Sequence, residues 1–132
     1  MDITVSQEQA RVPVTVLRVK GDISAATYEQ LIAQARSAHE GGARDILVDL
    51  ADVPYMSSSG IRALNDIFNM LRADTPAESD EAMRKGIAAG TFKSPHLKLL
   101  NPSKRVSEVL KMAGLDMFLE VHRDFKQAIA SF

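Results

Sequence analysis

Short apolar runs alternate along the chain with segments in which apolar residues recur at helical spacing. Ile3 and Val5 alternate with polar neighbours, as in a half-buried strand, and the polar residues 7–11 are expected to turn the chain. A β-branched run then predicts a second strand that ends at Gly21, with Pro13 at its start or edge because proline has no N–H to donate. Joined by a short turn, these two strands are expected to form an antiparallel pair.

The next segment predicts a helix followed by a buried strand. Ser24 is expected to cap the helix, and the two glycines at 41–42 are expected to end it. The apolar stripe of this helix consists of Tyr28, Leu31, Ala35 and Ala38. Residues 45–50 form a short, almost continuous apolar run, which is typical of a strand buried on both faces of a sheet.

A second helix is expected to begin at Ser58 or Ser59. Its apolar stripe consists of Ile61, Leu64, Ile67, Phe68 and Leu71. Residues 95–100 predict another strand, and residues 101–102 are expected to start a third helix because proline fits a first helical turn. Gly114 is expected to stop that helix.

The C-terminal segment predicts one more strand and one more helix. Residues 118–121 form the strand, and Asp124 is expected to cap the helix. Strands that alternate with helices indicate an α/β domain. We therefore expect a mixed, mostly parallel sheet of four to five strands with about four helices, in a single domain that spans residues 1–132.

Residues 73–94 fit none of these elements. Their first half is polar and acidic, and their second half is mildly basic. A connection of this length in a small domain is either functional or disordered, so this segment is expected to be a mobile insertion or a contact surface. One short helix is also possible, on residues Ala82, Met83, Ile87, Ala88 and Ala89.

Composition narrows the classes of function. The net charge of −1 lacks the basic excess with which nucleic-acid-binding proteins neutralise phosphates, so no nucleic-acid partner is expected. The absence of cysteine excludes disulfides, zinc–thiolate sites and cysteine nucleophiles. The sequence has neither a signal-peptide pattern nor an apolar stretch of the roughly 20 residues that span a bilayer. A soluble, cytoplasmic protein without a membrane partner is expected.

The most informative stretch is residues 47–62, where a buried strand leads through a tight loop into a helix. Three consecutive serines, Ser57, Ser58 and Ser59, stand at the start of that helix and are followed by Gly60. A serine at a helix N-terminus is either a cap for the free N–H groups or a group open to modification. With three in a row, one can cap while another faces solvent. Gly60 has no side chain, so a partner's backbone can come close there.

Catalytic readings of this stretch find little support. A nucleophile elbow would need glycine where Met56 stands, and the three histidines, His39, His96 and His122, are expected at the surface. The sequence has no clustered metal ligands and no glycine-rich phosphate loop. These residues therefore favour no catalytic site, and no metal or cofactor is expected.

Residues 49–61 resemble the signature of STAS domains, and especially of the bacterial anti-sigma factor antagonists. Residues 21–24 resemble the segment that leads into the first helix of that family. Residues 99–103 resemble the start of its third helix, which Val106 and Leu110 continue up to residues 114–115. The likeness covers nearly the whole chain except residues 73–94.

The resemblance implies a signalling role in transcription without catalysis by this chain. Members bind an anti-sigma factor that is also a serine kinase with a histidine-kinase-like ATPase fold, and this binding releases a sigma factor. The kinase phosphorylates the serine that corresponds to Ser58, which switches binding off, and a metal-dependent serine phosphatase reverses the modification. The residues implied in partner binding are Asp22, Ser24, Tyr55, Met56, Ser57, Ser58, Ser59, Gly60, Ile61 and Arg62.

The sequence departs from the family pattern at two positions. Ser57 stands where aspartate usually precedes the phosphorylated serine, and Ser24 replaces an aspartate at the first helix. Both serines can still cap a helix, but both remove negative charge near the expected acceptor. Ser57 is therefore an alternative acceptor. A constitutive STAS scaffold, or a subunit of a signalling complex that binds partners without phosphorylation, is the alternative function.

Overall fold

A computed structural model describes residues 1–73, 84–87 and 93–132. The strands are β1 (Asp2–Gln9), β2 (Pro13–Lys20), β3 (Ile46–Asp52), β4 (Leu97–Leu100) and β5 (Glu120–His122). The helices are α1 (Tyr28–Glu40), α2 (Ser58–Arg72), α3 (Lys104–Met112) and α4 (Phe125–Ala130), with a short 3-10 helix at Leu115–Met117. Within these described ranges, no helix has both the length and the apolar character needed to cross a bilayer.

The five strands form one sheet in the order β1-β2-β3-β4-β5. β1 and β2 are antiparallel, whereas β2, β3, β4 and β5 are mutually parallel. This topology confirms the predicted α/β fold with its antiparallel first pair. Because the helices follow the parallel strands, the loops that start helices gather at the carboxyl edge of the sheet.

The first strand is longer than its alternating pattern predicted. β1 runs to Gln9, and pairing with β2 continues to that residue, which lies opposite Pro13. The amide of Gln7 also donates to the hydroxyl of Thr15 across the pair, at 3.1 Å. The predicted turn at residues 7–11 is therefore wrong in extent, because cross-strand bonds keep polar residues extended at the sheet edge.

Two helix starts were also predicted too early. α1 begins at Tyr28, because the hydroxyl of Thr27 accepts from Ser24 N at 2.9 Å and donates to the Asp22 carbonyl at 2.7 Å, which holds residues 22–27 in a turn. α3 begins two residues after Pro102. There the Ser103 hydroxyl caps the helix by accepting from Val106 N at 3.1 Å.

The last strand begins two residues later than predicted, at Glu120. Gly114, with a left-handed φ of 78°, ends α3 as expected and leads into the 3-10 helix. That extra turn leaves Phe118 and Leu119 packed against the main core and outside the sheet. The predicted cap of the final helix is confirmed, since the Asp124 carboxylate accepts from Gln127 N at 3.1 Å.

The core has two layers, one on each face of the sheet. The larger layer packs α1, α2 and α3 against one face. The smaller one lies under α4 and contains Val14, Val16, Leu47, Leu100 and Ala128. Lys98 also points to this side and is only 3% exposed, yet its ammonium group bonds the Ser131 carbonyl at 2.8 Å and Glu120 at 3.0 Å. These bonds fasten α4 to β4 and β5.

Most of the expected insertion at residues 73–94, namely residues 74–83 and 88–92, lies outside the described residues. Residues 84–87 are helical, and the rest of the short helix expected on residues 82–89 falls outside the described part. Lys93 is the first described residue after this part of the chain, and its ammonium group donates to the carbonyls of Asp116 and Met117 at 3.0 and 2.9 Å.

Candidate functional site

The loop between β3 and α2 is held by backbone bonds to the loop between β2 and α1. Ile23 and Met56 form an isolated parallel bridge. Ile23 N donates to the Tyr55 carbonyl at 3.0 Å, and Ser57 N donates to the Ile23 carbonyl at 2.9 Å. The start of α2 is therefore fixed in place at the carboxyl edge of the sheet.

The three serines at this point have different surroundings. Ser57 is the N-cap of α2, with extended backbone and a hydroxyl that accepts from Ser59 N at 3.2 Å. Ser58 is the first helical residue, is exposed, and its hydroxyl has no hydrogen-bond partner in the described part of the chain. Ser59 is half-buried. The capping role and the solvent-facing role thus belong to different residues.

Gly60 and Met56 shape the loop from inside. Both residues are buried, and Met56 is only 1% exposed. A methyl group built on Gly60 would overlap Met56 Cγ and lie 3.0 Å from Ile23 Cγ2. The missing side chain therefore lets α2 pack closely against the loop. Both residues are thus part of the packing below the loop surface, and their expected role in partner binding stays a prediction.

Tyr55 stands exposed beside the serines. Its side chain is 39% exposed, and the guanidinium carbon of Arg105 lies 5.2 Å from the centroid of its ring. A cation over an aromatic face is attracted by the electrons of the ring. Sequence reasoning missed Arg105. The available signal was its position in the first turn of the helix after β4, which places it at the same edge of the sheet.

The remaining expected residues lie around this loop. Asp22 and Arg62 are exposed, whereas Ser24 and Ile61 are half-buried. The hydroxyl of Ser24 accepts from Ala26 N at 3.3 Å, so it serves the turn before α1. We use the name serine edge for the expected residues that have solvent-accessible surface: Asp22, Ser24, Tyr55, Ser57, Ser58, Ser59, Ile61 and Arg62.

Below the serine edge, α1 and α2 form a shallow groove of about 380 Å³. Charged residues from both helices line it: Glu29, Arg36, Arg62 and Asp66. The ion pairs within the described residues involve none of these four side chains. The groove thus continues the serine edge with charges that form no ion pair within the described residues.

The sequence predicted that the three histidines lie at the surface, but the structure places them differently. All three are half-buried. His96 Nδ1 lies 2.9 Å from Asp45, and His122 Nε2 lies 3.2 Å from Glu120. The first pairing joins the residues that precede β3 and β4, whereas the second lies within β5. Neither histidine bonds Ser58, and the described residues hold no cluster of three or more metal-ligating side chains.

Comparisons with known proteins fit this geometry. A family model of the STAS domain matches residues 5–75, which is more than half of the chain. A comparison with curated proteins gives no significant match.

Solved structures of similar fold include anti-sigma factor antagonists. Unphosphorylated SpoIIAA is 22% identical with a TM-score of 0.67, over 96% of this chain and 93% of that one. The phosphorylated form of Bacillus SpoIIAA is 20% identical with a TM-score of 0.61, over 96% of both chains. A STAS domain protein from Planctomyces limnophilus is 21% identical with a TM-score of 0.69, over 99% and 98%.

At these identities the solved structures establish the fold, which has the same plan of a mixed sheet with the first two strands antiparallel. The family-model match over residues 5–75 includes the loop from β3 into α2. The resemblance read from residues 49–61 is confirmed. The chain belongs to the STAS domain family.

Proposed function

We propose that this chain is a bacterial anti-sigma factor antagonist that works in the cytoplasm. In this proposal the unmodified serine edge binds an anti-sigma factor that is also a serine kinase with a histidine-kinase-like ATPase fold. Binding frees a sigma factor for transcription. The kinase phosphorylates Ser58, which ends the interaction, and a serine phosphatase restores it.

The proposal rests on one observation: Ser57 caps α2, whereas Ser58 is exposed to solvent. The hydroxyl and carbonyl oxygens of Ser57 already accept from the N–H groups of Ser59, Gly60 and Ile61, so the hydroxyl of Ser58 is not needed to cap the helix. Ser58 is exposed at the first residue of α2, where a kinase can reach it. The similarity to SpoIIAA, whose structure is known in phosphorylated and unphosphorylated forms, supports the same assignment.

The physical effect of a phosphate at Ser58 differs between the free chain and a complex. A phosphate carries nearly two negative charges at neutral pH, and a helix N-terminus tolerates them through its partial positive charge. The fold should therefore survive modification. At an interface the same charge must be buried against a partner, and each ~1.4 kcal/mol of added cost weakens binding tenfold.

The first test is mapping of the modified residue. The chain is incubated with ATP and its cognate anti-sigma factor kinase, and phosphopeptides are sequenced. We expect phosphate on Ser58, and none on the Ser58→Ala protein. Phosphate on Ser57 with none on Ser58 would show that Ser57 is the phosphorylated residue. Absence of any phosphate would refute the switch.

The second test is binding. We expect Ser58→Ala to keep the affinity for the anti-sigma factor and Ser58→Asp to lower it by about tenfold or more. Asn65→Asp is the matched control, since it adds one negative charge to an exposed position of α2 nearly two turns further on. Equal affinities of the Ser58→Asp and Ser58→Ala proteins would contradict the mechanism.

A constitutive scaffold is the second candidate, and one observation favours it. Where the family pattern has aspartates, Ser57 caps α2 and Ser24 serves a turn, so neither position supplies a carboxylate near Ser58. A scaffold would bind its partner with equal affinity before and after incubation with kinase and ATP. The gene neighbourhood gives a further distinction, because a switch needs a serine kinase and a phosphatase close by.

A further inference from the structure

Arg62 follows Ser58 by four residues, which is one turn of α2. Residues at this spacing share one face of a helix, about 5–6 Å apart at their Cβ atoms. Helical side chains also lean toward the N-terminus of their helix, so a long side chain at position 62 extends over the turn that contains Ser58. The helix geometry therefore brings a guanidinium within reach of any group attached to the Ser58 hydroxyl.

Arg62 is free to take such a partner. It is exposed, and the ion pairs within the described residues do not include it. Arg18 provides a contrast, because its guanidinium lies 3.6 Å from the Asp49 carboxylate and 5.3 Å from the ring of Phe125. A new contact at Arg62 would therefore break no existing bond of the described fold.

We propose that phosphoserine at position 58 binds the Arg62 guanidinium of the same helix. This inference rests on the phosphorylation of Ser58 proposed above. Arginine matches a phosphate well, since its planar fork of N–H donors bonds two phosphate oxygens at once. The partial positive charge at the N-terminus of α2 also favours a phosphate on its first residue. Together they hold the modification against the domain that carries it.

The pair gives the switch a second component. Phosphorylation adds negative charge to the serine edge, and it also withdraws Arg62 from solvent and from the groove between α1 and α2. An acidic side chain of a partner that contacts Arg62 in the unmodified complex then loses that contact. Modification thus changes the surface at two points one helical turn apart while the backbone stays in place.

The test uses phosphoserine that is genetically encoded at position 58, so it needs no kinase. The chain is made with and without the phosphate in the wild-type, Arg62→Gln and Arg36→Gln backgrounds. Arg36 is the matched control, because it is exposed and lines the same groove as Arg62. It belongs to α1, however, and lies about 12 Å along that helix from its first residue, Tyr28. Urea unfolding and ³¹P NMR titration are measured for all six proteins.

We expect the phosphate to lower the unfolding constant by about tenfold in the wild-type and Arg36→Gln proteins, and by only two- to threefold in Arg62→Gln. The phosphate titrates near pH 6 when free. Its titration midpoint should be lower in the wild-type and Arg36→Gln proteins than in Arg62→Gln, because the guanidinium favours the dianion.

Equal stabilisation and equal titration midpoints in the wild-type and Arg62→Gln proteins would refute the pair. So would a phosphate that destabilises the wild-type protein. Failure of a kinase to modify Ser58 would refute the proposed function and leave this result unaffected, since the phosphate is introduced during synthesis. The two hypotheses are therefore tested separately.

Discussion

Replacement of Gly60 by alanine tests how the start of α2 is positioned. The added methyl group would overlap Met56 Cγ and would lie 3.0 Å from Ile23 Cγ2 and 3.3 Å from Ile23 Cβ. Both neighbours are fully or almost fully buried, so neither can move into solvent. The methyl group must therefore displace α2 or push the Met56 side chain out of its rotamer.

The magnitude follows from two opposing effects. Overpacking a filled core costs about 1–3 kcal/mol. Alanine in place of glycine stabilises a helix interior by up to about 1 kcal/mol, and by less in the first turn where Gly60 lies. We expect a net loss of about 1–2 kcal/mol in the free energy of unfolding. At about 2.1 cal/mol/K of unfolding entropy per residue, this corresponds to a fall in Tm of about 4–7 °C for a chain of 132 residues.

The assay is urea and thermal unfolding followed by far-ultraviolet circular dichroism. Gly41→Ala is the matched control. Gly41 has a φ of −78°, and a methyl group there would make only ordinary contacts, at 3.4 Å from the Ala38 carbonyl oxygen. We expect that variant to stay within about 0.5 kcal/mol of the wild type. A Gly60→Ala protein as stable as Gly41→Ala would refute the packing argument.

A double-mutant cycle identifies the partner of the overlap. Met56→Ala by itself should destabilise the chain by about 2–5 kcal/mol, because it leaves a cavity next to Gly60. In that background the methyl group of Gly60→Ala enters the vacated space, so its cost should shrink by about 1 kcal/mol or more. If Gly60→Ala destabilises the Met56→Ala protein as much as the wild type, the overlap with Met56 is not the cause of the destabilisation.

Three further predictions concern stability. Ser57→Ala should lower the free energy of unfolding by about 1 kcal/mol because it removes the cap of α2, whereas Ser58→Ala should change it by less than about 0.5 kcal/mol. Equal losses of both variants in urea unfolding would contradict the separate roles of the two serines. Lys98→Ala should cost about 2–4 kcal/mol by removing a buried stem and its bonds to Ser131 and Glu120, and a near-neutral result would show that α4 is held by apolar contacts alone. Asp124→Ala should destabilise α4 by about 1 kcal/mol because it removes the cap of that helix. Hydrogen exchange should become faster in residues 125–130 and stay unchanged in α2. Equally faster exchange in both helices would contradict a local effect.

Local sequence determined the order of the elements and several of their ends. The apolar run at 45–50 marked the buried central strand, and the helical stripe after Ser58 marked α2. Gly114 and Asp124 were identified correctly as a stop and a cap. These features depend on the periodicity and hydrogen bonding of residues close together in the chain, so they can be read without tertiary contacts. The family signature added the expected role of Ser58, which stays a proposal.

Tertiary structure decided what depends on contacts between distant segments. Lys98 bonds Ser131 across 33 residues, and His96 bonds Asp45 across 51, so neither pairing has a local signature. Burial of Gly60 follows from the bridge between Ile23 and Met56, which fixes two loops side by side.

The contact of Arg105 with Tyr55 likewise exists only because parallel strands bring their following loops to one edge of the sheet. Sequence by itself placed a serine at the start of a helix. The register of the sheet and the packing around Gly60 determined that Ser57 caps the helix while Ser58 faces solvent, because only close packing fixes where that helix begins.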